Sequence, residues 1–185
     1  MGRIEDLADI YERDVKLPWT GMASGAQRVL MVIYDKELDR TLRTRVEEFA
    51  IRTRRVGKEW SLVDCTRWFA EWMAAEEYRE AYFEHPEDLG MKVEGEFKPH
   101  AVERLRTAVR AANGNTAVGL FGVGSLYGFL RLSELIRAVE ADIRGRLVVF
   151  FPGTKDANNY RLLDARDGWN YLAHSISLHS EGAHT

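Results

Sequence analysis

The sequence predicts an α/β protein: one domain, residues 1–185, with a mostly parallel β-sheet that is flanked by helices on both faces. Three short apolar runs, "RVLMVIYD", "TAVGLF" and "RLVVFF", are continuous rather than alternating, which is typical of strands buried on both faces. Amphipathic stretches with apolar residues at steps of three and four separate these runs. Strands that alternate with helices favour a parallel sheet, and the length suits one domain.

The same two patterns define the elements of the first half of the chain. Helices are predicted where apolar residues recur at steps of three and four, and strands where a short apolar run is continuous. The second helix ends near Gly57, and Pro86 stops the third. In order, these elements are a helix at 1–15, a loop at 17–25, a strand at 28–35, a helix from 38 to 57, a strand at 60–65 and a helix at 66–85.

The second half of the chain is divided by glycine, proline and asparagine. Glycines and Pro99 indicate a polar loop, and "NGN" closes the helix that follows it. Ser133 is the predicted N-cap of the next helix, "SELIRAVEADI". The elements predicted here are a loop at 87–100, a helix up to 112, a strand from 116, a helix from 133 to 143, a strand at 146–153 ended by Pro152 and Gly153, two short strands separated by the turn "ARDG", and a frayed tail at 179–185.

Composition argues against several functions. The net charge is −3, from 26 basic and 29 acidic residues, and no basic stripe supports direct binding of nucleic acid. The arginine-rich stretch 40–55 also contains Glu47 and Glu48, which indicates a solvated helix face. Cys65 is the single cysteine, so an intrachain disulfide and a cysteine-cluster metal site are excluded. With no signal peptide and no apolar run near ~18 residues, we expect a cytoplasmic location and no transmembrane helix.

The glycines that follow the strand at 116 resemble a phosphate-binding loop. Gly119, Gly124 and Ser125 have part of the spacing of a P-loop, but Ser125 stands where that loop needs lysine. Gly122 and Gly124 start a dinucleotide-binding pattern, but Tyr127 occupies its third glycine position.

We therefore interpret this segment as a degenerate strand–turn–helix in which glycine allows a sharp turn and close packing. The alternative is a nucleotide- or nucleic-acid-sensing pocket at 119–125, assisted by Arg131. No hydrolysis is expected from either arrangement.

Few residues suggest catalysis. Asp35 and Asp64 follow predicted strands, at the edge of the sheet where the active sites of α/β proteins lie. We favour the interpretation that each carboxylate caps the helix that follows it. The alternative is that the two carboxylates are the catalytic acids of a hydrolase. His174 and His179 do not have the spacing of a helical metal-binding pair. We predict no catalytic residues, no metal ligands and no cofactor.

Aromatic residues are more numerous than a core of this size requires, with five Trp, seven Tyr and eight Phe. Two partner-binding surfaces are predicted, one on the helix 66–85 and one on the ribbon 154–172. For the ribbon, the sequence is equally compatible with a turn-rich structure in which the Asn and Asp side chains hydrogen-bond to the ribbon's own backbone. The predicted contact residues are Trp68, Trp72, Tyr78 and Tyr82 on the helix, and Asn158, Asn159, Tyr160, Arg161, Arg166 and Trp169 on the ribbon.

Four segments taken together resemble the BrxB proteins of bacterial BREX phage-defence systems. They are "QRVLMVIYD", "LFGVGSLYGFLRLSELI", "GRLVVFFPG" and "NNYRLLDARDGWNYL", and the resemblance extends over about residues 15–178. It implies a small component of a multi-protein system that restricts phage and marks self DNA by methylation. Such systems also contain a PglZ-type protein of the alkaline-phosphatase superfamily, an AAA-type ATPase (BrxC) and a DNA methyltransferase. The implied role is a non-enzymatic adaptor whose main expected partner is the PglZ-type protein, with BrxC as a second.

Overall fold

A computed structural model describes residues 2–165 and 168–179. Within these residues, seven strands form one sheet in which β2, β3, β4, β1 and β7 lie side by side and are all parallel. The predicted mostly parallel α/β fold is confirmed. A ribbon of antiparallel strands, β5 and β6, extends from the end of β4. The strands are β1 (Val29–Tyr34), β2 (Glu59–Asp64), β3 (Thr116–Phe121), β4 (Arg146–Asp156), β5 (Asn159–Leu162), β6 (Trp169–Asn170) and β7 (His174–Ser177).

Helices cover both faces of the sheet, which is why the apolar strands do not alternate with polar residues. In β1, Leu30 and Val32 pack with the first three helices, whereas Met31 packs with the later ones. All six residues of β1 are buried, and so are all six of β3. The helices are α1 (Arg3–Val15), α2 (Asp39–Arg45), α3 (Glu47–Arg55), α4 (Trp68–Ala74), α5 (Arg79–Glu84), α6 (Leu89–Lys92), α7 (Lys98–Ala111) and α8 (Leu132–Val139), with a π-helical turn at Val93–Phe97.

Several predicted elements are wrong in their extent. The helix expected at 66–85 divides into α4 and α5, because residues 74–92 include no buried side chain that would hold a continuous helix on the core. The loop expected at 87–100 is largely helical and buries Val93 and Phe97, which lie four residues apart. The helix expected from 38 to 57 is interrupted at Val46 between α2 and α3.

Two boundaries near the carboxyl ends of the strands also differ from prediction. Ser133 is not an N-cap, because α8 begins at Leu132 with Arg131 as the capping residue. Strand β4 continues beyond Pro152 and Gly153, since Gly153 pairs with Leu162 when the strand joins the ribbon. The predicted tail at 180–185 lies outside the described residues.

A buried charge pair links α1 to the amino-terminal ends of strands β4 and β7. Arg146, the first residue of β4, is 2% exposed and donates a hydrogen bond from Nη1 to Oδ1 of Asp14 at 2.8 Å. His174, the first residue of β7, contacts the other carboxylate oxygen. Burial raises the pKa of Asp14, but the hydrogen bond with His174 and the charge of Arg146 outweigh it, so the pKa lies below its usual range.

Candidate functional site

A cleft lies at the carboxyl edge of the parallel sheet, where ligands bind in open α/β proteins. It has a volume of about 1040 Å³ and separates the loop after β3 from the ribbon. We call it the ribbon groove. Arg131, from the predicted ligand loop, and Trp169, from the predicted partner ribbon, line this one groove, so the fold brings the two predicted sites together. The residues that line it are Glu94, residues 127–134, Leu162, Asp164, Ala165, Gly168 and Trp169.

The first two glycines of the predicted ligand loop are positions of close packing. Gly119 lies inside β3 against Trp60, and a Cβ atom there would be 2.6 Å from the indole ring. Gly122 has a left-handed φ of +86°, and a Cβ atom there would be 2.2 Å from Oγ1 of Thr66. Side chains of the protein therefore occupy the space beside both residues.

Several backbone N–H groups at the end of this loop and in the segment after it donate to nearby carbonyl oxygens. The Ser125 amide donates to Gly122 at 3.0 Å, and the Tyr127 amide donates to Gly124 at 3.2 Å. The Phe129 and Leu130 amides both donate to the carbonyl of Leu126. A phosphate-binding loop needs such amides free to surround the phosphate. The Ser125 amide is instead bonded to Gly122, and together with the close packing at Gly119 and Gly122 this bond supports the interpretation that the loop 119–125 packs the fold.

Three of the predicted contact residues lie in the core. Trp68 and Trp72 are buried, and Trp72 packs against Phe97 at a ring distance of 5.4 Å. Tyr160 is fully buried and stacks on Trp169 at 5.6 Å. These rings lie on the apolar side of their elements, so in this structure they offer no surface to a partner.

The remaining predicted contact residues lie nearer the surface. Tyr78 is exposed, whereas Tyr82 is half-buried against the core. On the ribbon, Asn158 and Arg161 are exposed and Asn159 is half-buried. Arg166 lies outside the described residues.

An exposed segment between α4 and α7 was identified only in part from the sequence, through Tyr78 and Tyr82 on the predicted helix 66–85. Residues 74–92 contain no buried side chain, yet Tyr78, Phe83 and Met91 are exposed to 66%, 63% and 89%. Residues 76–96, which we call the acidic segment, carry eight acidic and two basic side chains and hence a net charge of −6. The high density of glutamate residues around Phe83 and Met91 was the sequence feature that could have indicated an exposed segment.

The candidate catalytic acids have structural partners. Asp35 pairs with Arg3, and Asp64 accepts a hydrogen bond from the amide of Thr66 at 2.9 Å. Burial, with a smaller effect from the charge of Asp64, raises the pKa of the Cys65 thiol to about 12, which disfavours the reactive thiolate form. In residues 2–165 and 168–179, no three His, Cys, Asp or Glu side chains are placed to share a metal ion.

Comparison with known protein families identifies a match. A family model described as "BREX protein BrxB" matches residues 59–176, from the start of β2 into β7. The matched region includes the acidic segment, the loop after β3 and the ribbon groove. No curated protein and no solved structure matches the chain. None of the helices in the described part of the chain has the length and apolar character to cross a membrane.

Proposed function

The chain belongs to the BrxB family of BREX phage-defence proteins, and we propose that it acts in the cytoplasm as a non-enzymatic adaptor between other BREX proteins. Its first partner in this proposal is the PglZ-type protein. The acidic segment is the proposed contact surface, and the exposed side of the ribbon, with Asn158 and Arg161, is a second surface that can serve BrxC.

The observation that carries the proposal is the exposure of large apolar side chains in a segment that contributes little to the core. Tyr78, Phe83 and Met91 bury only a minor part of their surface in the isolated chain and so gain little stability from burial there. Aromatic and methionine side chains are enriched at protein–protein interfaces, where a partner removes them from water. Their presence is accounted for if another protein covers them.

The charge of the acidic segment indicates the chemistry of that partner. Glu77, Glu84 and Asp88 form no ion pair with any described residue. A net charge of −6 over 21 residues repels the phosphates of nucleic acids and attracts a protein surface rich in lysine and arginine. We therefore propose a basic surface on the PglZ-type protein, with an apolar centre that receives Phe83 and Met91.

Capture of the PglZ-type protein by the purified chain tests this proposal. The triple variant Tyr78→Ser, Phe83→Ser and Met91→Ser is expected to bind at least ~10-fold more weakly, because hot-spot aromatic residues typically contribute ~2 kcal/mol or more each. Binding is measured by biolayer interferometry at two salt concentrations, and the affinity of the wild type should fall as salt rises.

A matched control variant replaces three apolar residues that are exposed elsewhere. Leu17, Ile51 and Leu62 are 59%, 44% and 41% exposed, so serine at these positions leaves the fold and the acidic segment intact. Full binding by this control is expected. Equal binding by the wild type and the triple variant, or no capture by the wild type, would refute the proposed contact.

A further inference from the structure

The amino end of α8 opens into the ribbon groove without an acceptor to cap it. Arg131 is the N-cap residue, and its side chain makes no capping hydrogen bond, since a guanidinium has only donors. The amides of Glu134 and Leu135 donate to the carbonyl of Arg131 at 3.0 and 3.2 Å. The amides of Leu132 and Ser133 have no acceptor among the described residues. A helix end with free amides and a positive partial charge favours an anion.

Two residues that line the groove carry side-chain donors without a hydrogen-bond partner among the described residues. Ser133 is only 9% exposed, lines the groove and makes no side-chain hydrogen bond with any described residue. The indole N–H of Trp169, on the facing wall, is buried and also lacks an acceptor. Buried polar groups are normally hydrogen-bonded, so the unpaired indole N–H points to an absent acceptor, whereas the Ser133 hydroxyl is open to the groove and can donate to a ligand.

Arg131 is the one cation among the described residues that line the groove, and it forms no ion pair. Among the described lining residues, the carboxylates of Glu94 and Glu134 both pair with Lys98, at 2.8 and 2.5 Å. Asp164 pairs with Lys36. The guanidinium of Arg131 is exposed and forms no ion pair or hydrogen bond with any described residue. It is therefore free to pair with an incoming oxyanion.

The walls of the groove define the rest of the ligand. Tyr127 and Phe129 are 52% and 36% exposed, and Phe129 lies flat on Phe69 at 3.8 Å, which fixes its ring. Trp169 forms the opposite wall. Such walls receive a flat or apolar body by stacking.

We propose that the ribbon groove is an oxyanion-binding site for a ligand that carries a phosphate or carboxylate on an aromatic or apolar body. Arg131, Ser133 and the free amides of α8 bind the anion, and the aromatic walls bind the body. The site is separate from the glycine loop 119–125, and it does not depend on the adaptor role. A nucleotide and an acidic residue of a partner protein are the two sources of this chemistry.

Two pairs of probes isolate the anionic group: AMP against adenosine, and N-acetyltryptophan against N-acetyltryptophanamide. Binding to the ¹⁵N-labelled full chain is followed by NMR. The anionic member of at least one pair should shift the Leu132 and Ser133 amides and bind at least ~10-fold more tightly than its neutral counterpart, as charge-assisted hydrogen bonds predict. The pair that responds distinguishes phosphate from carboxylate.

Variants assign the effect to residues. Arg131→Ala and Ser133→Ala should each weaken the binding of the anionic probe, and Arg131→Glu should abolish it. Arg161→Ala is the matched control, because it removes an exposed arginine that does not line the groove. Any of three results would overturn the site: no binding of either anion to the wild type at millimolar concentration, equal binding of charged and neutral probes, or shifts confined to residues 122–125. If the wild-type chain does not capture the PglZ-type protein but still binds the anionic probe, the adaptor contact is refuted and the proposed oxyanion site is not.

Discussion

Replacement of Asp14 by alanine is expected to lower the free energy of unfolding by about 3–5 kcal/mol, since removing one partner of a buried ion pair leaves the other charge uncompensated. Arg146 is 2% exposed, and its Nε already lacks a hydrogen-bond acceptor among the described residues. Without Asp14, the guanidinium would also lose its 2.8 Å contact and remain away from water. Urea denaturation, followed by circular dichroism, measures the change.

Two further measurements separate the ion pair from simple loss of packing. The double variant Asp14→Ala, Arg146→Met should regain much of the lost stability, because it removes the uncompensated charge. The pKa of Asp14 is lower in the folded chain than in the unfolded one. The stability that it contributes is therefore complete above the unfolded pKa of about 4 and is lost as the pH falls through the folded pKa. A loss below about 1 kcal/mol, or a difference between wild type and variant that stays constant into strong acid, would contradict this account.

The sheet could be predicted because its signals are local. Strand β1 buries all six residues from Val29 to Tyr34, and a run without polar residues is the direct consequence of cover on both faces. The link between Asp14 and Arg146 could not be predicted, since the two residues are 132 positions apart and nothing near either one indicates the other. The division between α4 and α5 could not be predicted for a similar reason. The residues between them favour a helix, but the hydrophobic core on which a continuous helix would pack does not extend beneath them.

The candidate site was predictable in its parts but not as a whole. Arg131 and Trp169 were each identified, yet the groove exists only because the loop after β3 and the ribbon after β4 leave the same edge of the sheet. The sequence has more aromatic residues than a core of this size requires, but their number does not show which of them are exposed. Trp72 packs against Phe97, whereas Phe83 extends into solvent from a short helix that has no buried residue. Burial of this kind depends on tertiary packing, which one sequence does not encode in any short window.

Replacement of Gly122 by alanine is the second change expected to have a large effect, with a loss of about 2–4 kcal/mol in the free energy of unfolding. Part of the loss comes from the left-handed φ of +86°, which costs a residue with a Cβ atom about 1–2 kcal/mol. The rest comes from overlap, because the added atom would lie 2.2 Å from Oγ1 and 2.7 Å from the backbone nitrogen of Thr66. Rotation of the Thr66 side chain can relieve the first contact but not the second, so the backbone must move.

Gly124 is a matched control in the same loop. An added Cβ atom there would meet Leu163 and Pro152 at 3.7 Å, which is ordinary contact, and its φ is not left-handed. Gly124→Ala is therefore expected to change the free energy of unfolding by no more than about 0.5 kcal/mol. If the glycines instead served to admit a phosphate to the backbone, both variants would fold normally and lose nucleotide-induced thermal stabilisation together. A large difference in stability between the two variants, with any shift of melting temperature by ATP or GTP retained in Gly124→Ala, is the result that the packing of Gly122 against Thr66 requires.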